Sequence, residues 1–281
     1  ALEGVTGATG DRDPVLVVTP ADHIIPDEAA FVAAMRRAVA QAAAGAIAIL
    51  GVKPTRPETG YGYIRTESLG RNGPVAAGAA SAALEQRVVR FVEKPDAETA
   101  QRYIEAGGYS WNAGMFVLRA SAWMAALERF RPDIATACRA AFAARAIDAK
   151  FVRPGKDEFA AVPAESVDYA VMEKCPGVLD IRMQELDAGC NDLGAWDAVW
   201  QALPKDAAGN ATVGDALVAD SRNTLVHATS RLVSVVGLDD AVVIETPDAV
   251  LVASREKSQD VKPIVARRTQ EQRGEQTLHR K

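Results

Sequence analysis

The pair Glu93-Lys94 places a carboxylate and an ammonium group side by side at the end of a predicted strand. It follows the apolar run Val88–Val92, which predicts a strand, and Pro95 keeps Lys94 out of helical geometry. A lysine at a fixed strand end can bind a phosphate as a compact point charge, and a glutamate can accept hydrogen bonds from two sugar hydroxyls. Taken alone, the pair is better explained as an ordinary solvated charge pair.

Two aspartates each follow a predicted strand. Asp22 lies just past Val15–Thr19, and Asp192 lies between the predicted strand Val178–Gln184 and a helix. In open α/β sheets ligands bind at the carboxyl edge of the strands, where a carboxylate such as that of Asp22 can hold Mg²⁺ shared with substrate phosphates. The alternatives are a turn or helix-entry aspartate for Asp22 and an N-cap for Asp192.

The segment Glu58–Tyr63 (ETGYGY) places two glycines around an aromatic residue. Glycine lets the backbone approach a ligand closely, and the ring of Tyr61 beside Gly60 could cover a sugar or base. A hairpin-like turn is the alternative.

Two further segments offer polar side chains. Asn112, in WNAG, carries an amide that can both donate and accept hydrogen bonds. In SVDYAVMEK, a helix would bring Asp168 towards one face and put Lys174 at its end, although a plain amphipathic helix has the same pattern.

The elements that must position these residues predict an α/β fold. Val15–Thr19 is an apolar, β-branched run typical of a strand buried on both faces. Asp27 can cap a helix that Gly45 ends, and Ala46–Val52 predicts the next strand. Strand, helix and strand in this order indicate a parallel crossover. Asp96 can cap a later helix that ends near Gly107.

The pattern changes after Pro204. Short apolar couplets recur every six to eight residues or so from Val213 to Ser254, which predicts a small, separate all-β appendix of stacked strands. Arg71–Ala83 predicts a surface loop, and the charged stretch Ala266–Lys281 predicts a mobile tail.

Composition excludes several classes of protein. The net charge is -5 and the pI about 5.4, which argues against a general nucleic-acid or anionic-membrane surface. Three cysteines without C-x-x-C spacing argue against a disulfide framework or a structural zinc site and predict a cytoplasmic protein.

Taken together and in order, the segments resemble a known family. The sequence is similar to the bacterial mannose-1-phosphate guanylyltransferases, including the bifunctional guanylyltransferase–isomerases, in TPADH, ETGYGYI, FVEKPD, WNAGMF, SVDYAVMEK and NDLGAW. The resemblance implies a Rossmann-like nucleotidyltransferase domain over residues 1–208, a short left-handed β-helix over 209–265, and a tail over 266–281 leading towards an isomerase cupin domain.

The resemblance also implies a reaction and its residues. GTP and α-D-mannose 1-phosphate would give GDP-mannose and diphosphate, with Mg²⁺ as cofactor. Asp22 and Asp192 would hold the metal and Lys94 would bind the sugar phosphate, these three forming the catalytic set. Substrate binding would further involve Gly60, Tyr61, Glu93, Asn112, Asp168 and Lys174.

One departure from the family bears on activity. The family's glycine-rich triphosphate signature, roughly G-x-G-T-R-L-W-P, does not occur in this sequence. The resemblance implies that the domain lacks its first strand as well as this loop. We therefore expect little or no guanylyltransferase turnover from the chain alone, and association through the apolar strand edge left by the missing strand, with a homodimer possible. Two alternatives remain: another hexose-1-phosphate nucleotidylyltransferase using UTP or dTTP, or a non-catalytic sugar-phosphate-binding fragment.

Overall fold

The computed structural model describes residues 13–69, 86–190 and 193–271. The loop predicted at Arg71–Ala83 and the end of the predicted tail lie outside these residues. The described residues form two compact units, one of residues 13–21, 25–69 and 86–189, the other of residues 22–24, 190 and 193–271. No helix in the described ranges is long and apolar enough to cross a membrane.

The first unit is a mixed sheet with flanking helices. Its strands are β1 (Val15–Val18), β2 (Ile47–Val52), β3 (Tyr63–Ser68), β4 (Gln86–Val92), β5 (Tyr109–Arg119), β6 (Ala146–Asp148), β7 (Phe151–Arg153) and β8 (Ile181–Glu185). Its helices are α1 (Glu28–Ala43), α2 (Ala97–Ala106), α3 (Ala120–Phe130), α4 (Pro132–Ala143), α5 (Lys156–Ala160) and α6 (Val167–Ala170), followed by a 3₁₀ turn (Met172–Lys174).

Strand β5 organises the sheet, whose order is β1-β5-β2-β8-β4-β3. It runs antiparallel to β1, β2 and β3, while β2 and β8 pair in parallel. The predicted crossover from β1 to β2 is thus confirmed in direction, because both strands oppose β5. The two strands are not neighbours, however, since β5 lies between them.

The prediction that β1 is buried on both faces is wrong. The side chains of Val17 and Val18 are 49% and 47% exposed. Within the described residues β1 pairs with β5 alone and ends the sheet, so one edge of an apolar strand is open.

Both predicted helix starts are confirmed. The Asp27 carboxylate accepts a hydrogen bond from Ala30 N at 2.9 Å at the start of α1, and Asp96 accepts one from Thr99 N at 2.7 Å at the start of α2. Gly107 follows α2 with φ +65°, a left-handed conformation that glycine adopts without steric cost.

The core of the first unit lies between the sheet and the helices that follow β5. It joins strand residues such as Ile49, Phe91 and Phe116 to Leu127 and Ile134 of α3 and α4. The segment Val171–Met172 is buried in the same cluster, which ties the turn after α6 to the sheet.

The second unit has the parallel strand stacking of a β-helix. Helix α7 (Trp196–Ala202) precedes the strands β9 (Ala211–Val213), β10 (Ala216–Ala219), β11 (Leu225–Ala228), β12 (Val233–Val236), β13 (Ala241–Thr246) and β14 (Ala249–Ser254). Parallel pairing joins β9, β11 and β13, and also β10 and β12, whereas β14 closes an antiparallel hairpin with β13. The predicted all-β appendix is therefore confirmed.

The described chain ends in helical structure. A 3₁₀ helix (Arg255–Val261) leads into α8 (Lys262–Gln270), which extends past Ala266. Arg267 Nε lies 2.8 Å from Glu271 Oε1 one helical turn away, a spacing that stabilises a polar helix.

Candidate functional site

The Glu93-Lys94 pair forms a tight turn directly after β4. Lys94 has φ +47°, a left-handed conformation that costs a non-glycine residue about 1–2 kcal/mol. Its amide donates to the carbonyl oxygen of Tyr61 at 3.2 Å, which fastens the turn to the ETGYGY segment. The Glu93 side chain is 7% exposed and that of Lys94 51%, and Lys94 Nζ lies 3.1 Å from Glu93 Oε1.

Asn112 is aimed by a bulge in β5. The register between β2 and β5 shifts between Ile49 and Gly51, and Gly114 in the bulge has φ +66°. Asn112 Oδ1 accepts a hydrogen bond from Gly114 N at 3.0 Å, and Asn112 Nδ2 donates to Asp168 Oδ1 at 3.0 Å. Bulges redirect side chains in this way, which fixes both ends of the amide group.

The segment SVDYAVMEK supplies two carboxylates. Helix α6 makes a single turn from its Ser166 cap and breaks at Val171, whose φ is −132°, so the predicted continuous helix is replaced by an α turn and a 3₁₀ turn. The break turns Glu173 towards β4, where its Oε1 accepts the amide hydrogen of Glu93 at 2.5 Å. Asp168, in the same segment, accepts the hydrogen bond from Asn112 Nδ2.

Burial and crowding perturb the two inner carboxyl groups. Burial raises the pKa of Glu93 above its usual value, and the negative charge of Asp168 raises it further. Burial likewise raises the pKa of Asp168, against hydrogen bonds that lower it. The pKa of Lys94 is also raised, chiefly by its hydrogen bond to Glu93. The site therefore concentrates negative charge around one ammonium group.

Glu93 Oε2 is buried without a hydrogen-bond partner. It faces Gly62, on which a Cβ atom would lie only 2.5 Å from that oxygen. A buried carboxylate oxygen without a donor costs free energy unless a ligand supplies one. Glu93 Oε2 is thus an unsatisfied acceptor of the kind that a hydroxyl group could satisfy.

The other predicted residues of the first unit lie at different positions. Tyr61 packs edge-on against Trp111 with ring centroids 5.2 Å apart, while Gly60 is exposed and has open space around it. Lys174 Nζ donates to the carbonyl oxygen of Ala170 at 3.2 Å, a bond within its own segment. The segment 53–62 is no hairpin, because β3 pairs with β4 and β5 and not with β2.

The structure describes only one of the two predicted metal ligands. Asp22 is exposed and belongs to the second unit, four residues beyond the end of β1. Asp192 lies outside the described residues. The N-cap of α7 is Ala195, with no side-chain capping bond, so the alternative role of Asp192 as the cap of this helix is not borne out.

Sequence reasoning missed two residues of this site. Glu173 was present in SVDYAVMEK, but nothing in its spacing showed that the helix breaks before it. The sequence marks Gly62 only as one of two glycines around Tyr61, whereas in the structure its carbonyl oxygen accepts the amide hydrogen of Asn112 at 2.8 Å. An aromatic residue between two glycines was the available signal for the close approach at Gly62.

Two family models match successive parts of the chain. Residues 2–209 match the family model described as nucleotidyl transferase. Residues 214–267 match the model described as a mannose-phosphate isomerase/GMP-like β-helix domain.

Individual relatives agree with these matches. The chain is 46% identical over 281 residues to the xanthan biosynthesis protein XanB of Xanthomonas campestris pv. campestris strain B100, covering 100% of the chain and 56% of that relative. It is 43% identical over 270 residues to the mannose-1-phosphate guanylyltransferase of Escherichia coli K12, covering 96% of the chain and 54% of the relative. The chain thus spans about half the length of the curated relatives it matches.

A solved structure shares the fold. The Thermus thermophilus protein whose crystal structure is described as a mannose-1-phosphate geranyltransferase superposes with a TM-score of 0.74 at 30% identity, over 95% of this chain and 73% of that one. The family match covers most of the chain, and the chain therefore belongs to the nucleotidyl transferase family.

Proposed function

We propose that this chain carries the mannose-1-phosphate guanylyltransferase activity of its protein, converting GTP and α-D-mannose 1-phosphate into GDP-mannose and diphosphate. Family membership and the names of the relatives support nucleotidyl transfer to a sugar phosphate. The observation that carries the proposal is the group of Glu93, Lys94, Asn112 and Asp168, which combines one ammonium with acceptors for hydroxyls.

The geometry suggests a role for each of these residues. Lys94 Nζ is half-exposed and lies 3.1 Å from Glu93 Oε1. An incoming phosphate can therefore bind the ammonium group as its second anionic partner, beside Glu93. Glu93 Oε2, buried and without a donor, would accept a sugar hydroxyl. Asn112 still has one amide hydrogen and one lone pair beyond its two internal bonds, and these would read a neighbouring hydroxyl.

The reaction asks the protein mainly for positioning and charge neutralisation. The phosphate oxygen of the sugar attacks the α-phosphorus of GTP in line, and diphosphate leaves. Lys94 would hold the attacking phosphate and reduce its repulsion by the triphosphate, while Glu93 and Asn112 fix the sugar ring. Tyr61 and Gly60 would line the sugar pocket, and Asp168 and Lys174 would contribute near the sugar phosphate.

Asp22 and Asp192 are the proposed ligands of Mg²⁺. Among the described residues no group of three His, Cys, Asp or Glu side chains could hold a metal ion. Mg²⁺ usually takes one or two carboxylates and completes its shell with waters and substrate phosphates. Asp22 offers an exposed carboxylate of that kind. The bound ion would neutralise phosphate charge.

We further propose that the protein acts in the cytoplasm. Cys138, Cys175 and Cys190 are all free thiols in the structure, as a reducing compartment would keep them.

Replacement of Lys94 tests the proposed site. Loss of a hydrogen bond to a charged group costs about 1.5–3 kcal/mol, so Lys94→Ala should weaken mannose 1-phosphate binding roughly 10- to 150-fold. Calorimetric titration measures binding and is the main readout. Diphosphate release from GTP and mannose 1-phosphate measures turnover, which should be low even in the unsubstituted chain because its sequence lacks the glycine-rich triphosphate signature. Lys150→Ala, which removes an exposed lysine between β6 and β7, is the matched control.

A substrate panel separates this proposal from its rivals. In binding titrations, GTP should bind more tightly than UTP or dTTP, and mannose 1-phosphate should bind more tightly than glucose 1-phosphate. Preference for another pair would reassign the substrate within the family. Equal affinity of the wild type and Lys94→Ala for mannose 1-phosphate would reject the assigned site.

A further inference from the structure

Glu173 supplies a hydrogen-bond acceptor that the strand cannot. Strand β4 ends at Val92, so the next amide, that of Glu93, leaves the sheet inside a partly buried region. A buried backbone N–H needs an acceptor, and Glu173 Oε1 provides one at 2.5 Å. A carboxylate that accepts a backbone amide makes a charge-assisted bond, which is stronger than a neutral one.

The bond acts on a strained turn. Lys94 adopts φ +47°, and its amide donates to the carbonyl oxygen of Tyr61. Non-glycine residues keep such a conformation where the surroundings over-determine it. Glu173 holds the residue before Lys94, and Tyr61 holds Lys94 itself, so the two bonds bracket the turn.

Glu173 is itself anchored to the core. It lies in the 3₁₀ turn Met172–Lys174, between Met172, which is 1% exposed, and Cys175, which is fully buried. Its carboxylate therefore sits on a rigid support and can fix the turn opposite.

We propose that Glu173 is a positioning residue of the sugar-phosphate site: its carboxylate holds the Glu93 amide, and thereby the Glu93–Lys94 turn, in the geometry that meets the substrate. The inference rests on the proposed function for the identity of the ligand. It extends that proposal to a residue that makes no contact with the sugar phosphate in the roles assigned above.

Two properties of Glu173 can be separated by substitution. Glu173→Gln keeps an oxygen able to accept the Glu93 amide hydrogen but removes the negative charge. Glu173→Ala removes both. Because the charge of Glu173 opposes ionisation of Glu93 and Asp168, both variants should lower the pKa values of these two groups.

The binding experiment uses the full chain and mannose 1-phosphate, titrated by calorimetry at pH 7. Glu173→Ala should weaken binding about tenfold or more, equivalent to about 1.4 kcal/mol, while Glu173→Gln should stay within about threefold of the wild type. Wild-type affinity in Glu173→Ala, or an equal loss in both variants, would overturn the positioning role.

The pH dependence of binding provides a readout that a merely structural role would not move. Glu93 and Asp168 interact with Lys94 and Glu173, and the charge of Asp168 also acts on Glu93. Tyr169 acts on Lys94. Removing the charge of Glu173 should shift the acid limb of the binding profile to lower pH in both variants. The second ionisation of the ligand phosphate affects the binding profiles of all three proteins equally, so it cannot cause a difference between them. An unshifted acid limb in Glu173→Gln would therefore also overturn the inference.

Amide hydrogen exchange separates failure of this inference from failure of the proposed function. In the ligand-free protein, Glu173→Ala should speed exchange in the peptide that contains Glu93, and Glu173→Gln should not. If the wild type fails to bind mannose 1-phosphate but exchange behaves in this way, the proposed substrate is wrong and the positioning role stands. Unchanged exchange in Glu173→Ala rejects the positioning role whatever the ligand.

Discussion

Substitution of Gly62 by alanine should disturb the site through a single added methyl group. The new Cβ would lie 2.5 Å from Glu93 Oε2, 3.2 Å from Asn112 Cβ and 3.3 Å from Phe91 Cε1. The first distance is about 1 Å shorter than an ordinary contact, so the buried carboxylate has to move. The other two neighbours block the methyl group from moving instead.

Two opposing effects set the magnitude. Gly62 has no positive φ, so alanine fits its backbone and should gain about 0.4–1 kcal/mol from reduced freedom of the unfolded chain. Overpacking costs about 1–3 kcal/mol, which leaves a net destabilisation of about 0.5–2 kcal/mol. Gly60→Ala is the matched control for stability, because its Cβ would meet nothing within 4 Å and should show the gain alone.

Denaturant unfolding of the ligand-free chain measures these free energies, and calorimetry measures the loss of mannose 1-phosphate affinity that displacement of Glu93 should cause. Glu93→Asp shortens the side chain by one methylene and should relieve the clash. The double variant should therefore be at least about 0.5 kcal/mol more stable than the sum of the single changes predicts. Equal stability of the two glycine variants, or strict additivity with Glu93→Asp, would refute the reasoning.

Two further predictions concern buried carboxylates of opposite character. Glu245 is 1% exposed and accepts hydrogen bonds from Ser230, Thr229 and Arg231, and the Ser230 bonds above all lower its pKa from 4.5 to about 2. The ionised Glu245 carboxylate stabilises the fold above pH 4.5, and this stabilisation is lost as the pH falls towards 2. Glu245→Gln should therefore lower the melting temperature at pH 7 and flatten the dependence of the melting temperature on pH between 4.5 and about 2. The pKa of Glu93 is raised in the folded state, so its ionisation disfavours folding once the pH exceeds the usual pKa of a glutamate. Glu93→Gln should therefore raise the melting temperature of the ligand-free chain at pH 7. The same substitution should weaken mannose 1-phosphate binding. Thermal unfolding across pH checks both, and a melting temperature at pH 7 that rises in Glu245→Gln or falls in Glu93→Gln would contradict them.

Local chemistry allowed much of this structure to be predicted. Asp27 and Asp96 start helices because a short carboxylate can reach the free amides of the first turn. The Glu93-Lys94 pair lies at a strand end because the apolar run stops there and Pro95 prevents a helix. The regular couplets after Pro204 reflect stacked strands, in which each unit buries its apolar residues against the next.

Long-range pairing explains what could not be predicted. The insertion of β5 between β1 and β2 depends on contacts across roughly 60–100 residues, which no local pattern encodes. The bulge that aims Asn112 exists only because β5 changes register against β2. The bond from Glu93 to Glu173 joins residues that are 80 positions apart, and the break at Val171 that makes it possible follows from core packing.

The central place of β5 also matters while the chain is being synthesised. Val15 pairs with Arg119, so β1 waits for roughly 100 further residues before its partner emerges. At about 5–20 residues per second, this wait lasts roughly 5–20 s. Throughout that interval the apolar segment Val15–Val18 lacks the partner strand that the described residues give it in the folded state. The strand order of this sheet therefore sets a delay during synthesis that the final stability of the fold does not reveal.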